Sequence, residues 1–282
     1  MAKTNKKDPN AEMSFLDHLE ELRWHLIRSV LAVVIVGIVA FIFTDFIFEQ
    51  IIFAPSRPEF VSYDLLCQLS NIFGSDKGCL TSEGLNFEIQ SRQMSAQFNA
   101  AIWTSIWTGV VVGFPYILFE VWKFISPGLY ENERKNSRGF IFVSSLLFFA
   151  GVLFGYYVIS PLSINFLANF TVSDQIKNQF DIDSYIGLVR MSCLSAGVIF
   201  ELPIVIFFLT KIGLVTPQLL RKYRKYSLVV VLLLAAVITP PDISTQIIVA
   251  IPILILYEAS ILISALVAKK EDKKVTGSQV RK

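Results

Sequence analysis

The stretch "YSLVVVLLLAAVITPPDISTQIIVAIPILILYEASILISALV", residues 226–267, holds two apolar runs joined by "PPDIS". Whether it crosses a membrane once or twice decides the topology of the whole chain. The first run, Tyr226–Thr239, has about 14 residues and would reach roughly 21 Å as an α-helix at 1.5 Å per residue. Spanning the hydrocarbon core takes about 20 apolar residues, or about 30 Å of helix. The second run, Gln246–Val267, is long enough but contains Pro252. The joint is too short for anything but a tight reversal. The stretch therefore reads as a helical hairpin whose first arm is shorter than the membrane. Such an arm must thin the bilayer locally or sit in a recess.

Outward from the hairpin, four long candidates fill the rest of the chain: Leu26–Phe48, Ala100–Ile125, Gly139–Ile159 and Met191–Leu209. Composition agrees with so much buried length. The chain is 54% hydrophobic and only 17% charged, where a soluble domain carries about 25% charged residues. A net charge of +2 gives no reason to expect a nucleic-acid partner. The first residues, "MAKTNKKDPNAEM", are polar, and the first apolar run is too long for the h-region of a cleavable signal. It is expected to stay as a membrane helix.

Orientation follows from lysine and arginine in the flanks. With the amino terminus inside, all of the 25 Lys and Arg fall in inside segments except Arg57, Lys77, Arg92, Lys177 and Arg190. Five spans would instead place the "KKEDKK" tail outside. The expectation is an all-α polytopic protein of the cytoplasmic membrane, with six transmembrane helices and both termini cytoplasmic. Its parts would be an amino-terminal segment 1–25, a transmembrane domain 26–267 with a long first outside loop at about 49–99, and a tail 268–282. That loop carries Cys67 and Cys79. In an oxidising compartment they could bridge, or they could be two unrelated thiols. Cys193 reads as packing within the fourth span.

Charge inside the membrane is costly and marks candidate sites. Glu201, in "GVIFELPIVIF", lies near the middle of the fourth span with Pro203 two residues on. Proline removes a helical hydrogen bond and often kinks the helix. Glu201 either faces a hydrated cavity or is kept protonated and tied to a neighbouring helix. Asp242 and Gln246 fall between the hairpin arms, where Asp242 or Ser244 could also cap the following helix. Glu131 and Glu133 lie in the second inside loop. On spacing alone they read as solvated acids beside Arg134 and Lys135, an arrangement worth little energy. No metal-ligand spacing, nucleotide-binding loop or nucleophile elbow is visible. The expectation is a protein that is not an enzyme and needs no cofactor and no metal.

Four segments in chain order resemble one family. "FLDHLEELRWHL" before the first span, "YILFEVWKFISPGLYENERK", "AGVIFELPIVI" and "VITPPDISTQIIVAIPILILYE" are similar to motifs of TatC, the multispanning subunit of the twin-arginine protein translocase. The resemblance runs from Phe15 to Glu258. It implies a cup-shaped six-helix bundle that receives folded proteins carrying twin-arginine signal peptides, with export driven by the proton gradient.

By that resemblance Glu21 and Glu133 would bind the arginine pair, with Arg23, Phe124, Leu129, Tyr130 and Arg134 on neighbouring motif positions. Glu201 would line the concave face. Asp242 and Gln246 would lie near the site for single-span TatA/TatB-like partners, and Pro55 would open the first outside loop. Membrane lipid and further copies of the chain are the other partners it implies. The chemistry suits that assignment. A guanidinium takes a carboxylate through two parallel charge-assisted hydrogen bonds, so consecutive arginines need two acceptors, and lysine is not equivalent. Glu20 and Glu21 are adjacent, so on a helix they point about 100° apart; the motif selects Glu21. The long first outside loop with its cysteine pair departs from the family's compact form. The competing readings are an ion-coupled carrier relaying through Glu201 and Asp242, and an inert membrane scaffold.

Overall fold

In the computed structural model the described residues are 15–72, 87–125, 137–173 and 175–279. The first helix, α1 (Phe15–Ile42), is followed by a helical turn and a π-helical segment, Ile47–Ile52. A short α2 (Val61–Ile72) and strand β1 (Glu88–Gln90) complete the first connection. Then comes α3 (Ala96–Ile125). Helix α4 (Ser137–Phe154) passes through a π-helical segment into α5 (Ser160–Asn169). Strand β2 (Gln179–Asp181) leads into α6 (Ile182–Phe200) and α7 (Leu202–Lys211). A short α8 (Pro217–Lys222), α9 (Arg224–Ile238) and α10 (Ile243–Gln279) finish the chain.

Among the described residues, five helical spans are long and apolar enough to cross a membrane: Leu19–Ile42, Ala96–Ile125, Gly139–Asn169, Ile182–Lys211 and Thr245–Lys269. The shorter hairpin arm is α9, with 15 residues, or about 22 Å. It falls short of the bilayer as its sequence predicts, so the structure has five full-length spans and one short arm. One expectation is corrected. The fourth span begins at Ile182, nine residues before the predicted Met191, so Arg190 lies in a helix and not in an outside loop. The last apolar span, Thr245–Lys269, matches the predicted Gln246–Val267, and its helix runs on into the polar tail.

Lipid offers helices no hydrophobic drive to associate, so small residues that let backbones approach decide the pairings. A Cβ on Gly109 of α3 would stand 2.5 Å from the Val33 carbonyl oxygen of α1. One on Gly151 of α4 would stand 2.6 Å from that of Ala196 in α6. Only glycine permits these two contacts. The main packing partner of α1 is α3, while α9 and α7 both pack on α10.

Long-range ties gather at the end remote from the amino terminus. Strands β1 and β2 pair in parallel, Glu88 with Gln179 through Gln90 with Asp181, tying the first connection to the one before α6. Tyrosine hydroxyls cap carbonyls there. Tyr63 donates to Pro55 at 2.6 Å, Tyr185 to Ile52 at 2.9 Å and Tyr156 to Ile51 at 2.8 Å. Burial pushes the Tyr63 phenol far above its ordinary range.

Candidate functional site

The close α1–α3 crossing sets the register of two antiparallel helices, and that register brings His25 to Glu120. The His25 ring donates from Nδ1 to Glu120 Oε2 at 2.6 Å. Lys123 Nζ lies 3.5 Å and Arg28 Nη1 3.9 Å from the same carboxyl group, and the Tyr116 hydroxyl also bonds it. Glu120 is 1% exposed. A carboxylate so deeply buried persists only when it is paired and hydrogen-bonded. Here both helices supply the partners. Phe124, one turn further along α3, packs edge-on to the His25 ring with centroids 6.2 Å apart.

This pair positions the predicted amino-terminal acids. Glu21 precedes His25 by one turn on α1. Residues four apart on a helix lie only about 40° apart in azimuth, whereas five apart lie about 140° apart. Glu21 therefore shares the stripe that faces α3, at the level of Phe124, and Glu20 is turned away. Glu21 and Arg23 are exposed, as a surface that meets another molecule must be. Helix α3 ends at Ile125, beside this stripe. Leu129, Tyr130, Glu131, Glu133 and Arg134 follow and lie outside the described residues. The helices flanking that segment are held by aromatic stacking. Trp122 of α3 stacks on Phe140 of α4 at 4.6 Å, and Phe208 of α7 packs on Phe140 at 4.8 Å and on Trp122 at 5.6 Å.

Glu201 sits at the break between α6 and α7, with Pro203 in the first turn of α7. Its Oε2 accepts a 2.5 Å bond from Ser144 of α4. Its Oε1 is buried without a hydrogen-bond partner among the described residues. Asp242 caps α10: Oδ2 accepts from Thr245 N at 2.8 Å and from Thr245 Oγ1 at 2.7 Å. Gln246 Nε2 donates to the Leu232 carbonyl of α9 at 2.9 Å, stapling the hairpin. Pro55 is buried beneath Tyr63. The Cys67 side chain and Cys79 lie outside the described residues. Cys193 is a free thiol. Glu120 and His25 are the residues that sequence reasoning missed. The rule that singles out Glu201, a charge inside an apolar run, applies equally to Glu120 in "YILFEVW".

Residues 17–252 match the sequence model of the family "Sec-independent protein translocase protein (TatC)". The TatC protein of Blattabacterium sp. subsp. Periplaneta americana is 44% identical over 265 residues, covering 94% of this chain and all of the relative. TatC of Aquifex aeolicus is 32% identical over 92% of this chain and 98% of its own length. TatCy of Bacillus subtilis is 32% identical over 93% and 92%. A crystal structure of the twin-arginine translocase receptor TatC superposes with a TM-score of 0.66 at 32% identity, over 89% of this chain and 99% of that one. The chain is a multi-pass membrane protein and belongs to the TatC family of Sec-independent protein translocase components.

Proposed function

We propose that the protein is the receptor subunit of a twin-arginine translocase in the cytoplasmic membrane, with both termini cytoplasmic. It takes the arginine pair of a signal peptide between Glu21 and Glu133 and serves export of the folded precursor, driven by the proton gradient. The observation that carries this reading is the His25–Glu120 pair at 2.6 Å. It holds the Glu21 stripe of α1 beside the end of α3, the helix that leads to Glu133. Each carboxylate can accept one planar guanidinium fork. The signal peptide's apolar stretch then runs along the helices, and Glu201 offers its unpartnered oxygen to a single-span TatA/TatB-like helix.

Crosslinking of a twin-arginine precursor to the membrane-embedded protein tests the clamp. Glu21→Ala and Glu133→Ala should each weaken the crosslink by about tenfold, the loss expected for a charge-assisted hydrogen bond. Glu131→Ala should leave it near the wild-type level. Equal effects of all three would reject the assignment.

A further inference from the structure

Arg190 belongs to the helical span Ile182–Lys211 and has no carboxylate within ion-pair distance among the described residues. Asp183, two turns earlier, acts on it only from longer range. The Arg190 side chain instead lies against Trp107 of α3, with Cζ 5.5 Å from the ring centroid. Both residues line a cavity of about 420 Å³ between α3, α4, α6 and the Ile47–Ile52 segment. Two polar atoms of its wall residues are closed off from the open space. Thr104 Oγ1 and Trp107 Nε1 are buried and have no hydrogen-bond partner among the described residues. Guanidinium and indole N–H can only donate. The rest of the wall is mostly apolar, with Gln50, Thr108 and Tyr156 among its polar members, and Val112, Leu153 and Tyr157 of the lining are exposed.

Depth decides what can reach it. The 30-residue span is about 45 Å long against a hydrocarbon core of about 30 Å. If the span is centred on that core, Arg190 lies about 12 Å along it and about 5 Å inside the boundary. A long arginine side chain covers that distance to the headgroup level. A helix is 10–12 Å across and would fill 420 Å³ within about one turn, so the cavity suits a flexible chain.

We infer that this cavity binds one anionic phospholipid, its phosphate on the Arg190 guanidinium and its acyl chain along the apolar wall. Placing that lipid in the outer leaflet rests on the orientation proposed above; the choice of an anionic lipid does not.

Native mass spectrometry of the delipidated full-length protein, supplied with equal phosphatidylglycerol and phosphatidylcholine, tests it. One phosphatidylglycerol should be retained in preference to phosphatidylcholine, and Arg190→Gln should reduce retention on the order of tenfold or more. Excess inorganic phosphate should not displace it. Equal retention of the two lipids, displacement by phosphate, or an unchanged Arg190→Gln would overturn the site. Two further measurements do not depend on how that variant folds. Phosphatidylglycerol with brominated chains should quench the fluorescence lost in Trp107→Phe, and Arg190→Lys, which keeps the charge, should keep most of the retention. Absence of both effects would equally refute it. Retention through Arg190 in a protein that ignores twin-arginine peptides would overturn the proposed function and leave the lipid site standing.

Discussion

A carboxylate with 1% of its surface exposed needs partners, and Glu120 draws them from two helices. Removing one member of a buried ion pair costs about 3–5 kcal/mol. Lys123 and Arg28 remain near Glu120 when His25 is lost, so His25→Ala should cost less, about 2 kcal/mol. Thermal unfolding in detergent checks this, and His25→Arg should recover most of the loss by restoring a cation. An unchanged melting curve for His25→Ala would show that the pair contributes nothing. Glu201 is a different case. One of its oxygens has a partner in Ser144 and the other has none. Glu201→Gln keeps the shape and a hydrogen-bonding group while removing the charge. It should leave precursor crosslinking near wild type and reduce co-purification with a single-span partner severalfold. Loss of the protein from the membrane would instead mark Glu201 as a packing residue. Asp242 and Gln246 are already engaged, one capping α10 and the other stapling the hairpin.

Among the elements, the α1–α3 pair crosses where Gly109 of α3 meets Val33 and Gly37 of α1. Any Cβ at Gly109 meets a backbone oxygen of α1, which cannot swing aside as a flexible side chain can. Gly109→Leu should therefore push α1 from α3 and separate His25 from Glu120. Spin labels on the two helices should report a distance increase of several ångströms, and an unchanged distance would refute the role given to this crossing. Hydropathy located α1, α3 and the hairpin because lipid imposes a length and a composition that each segment carries locally. It misplaced the start of α6, since Arg190 resembles a loop residue until it is seen beside Trp107. Nor does a three-residue parallel pairing of β1 with β2 leave a mark in either segment, because its partners are far apart in the chain.

On the scale of the whole molecule, α1 and α9 each lean chiefly on one long neighbour, α3 and α10 respectively, and the close Gly151 contact joins α4 to α6 between them. The orientation is testable directly. Epitope tags on both termini should stay protected from protease in intact cells and become accessible only when the membrane is breached; cleavage of either tag from outside would reverse the proposal. The sequence by itself determined that this is a polytopic helical protein, with a short arm before its last helix, a charge bias from which its orientation is proposed and motifs that place it in one family. Each of these is set by the demands of lipid or by a contiguous segment. Only the tertiary structure decided which residues meet. His25 and Glu120 are 95 positions apart, Ser144 and Glu201 are 57 apart, and Arg190 finds Trp107 on another helix. These meetings follow from helix rotation and register. Close backbone contacts at a few glycines set both, and hydropathy, which averages over the faces of a helix, does not register them.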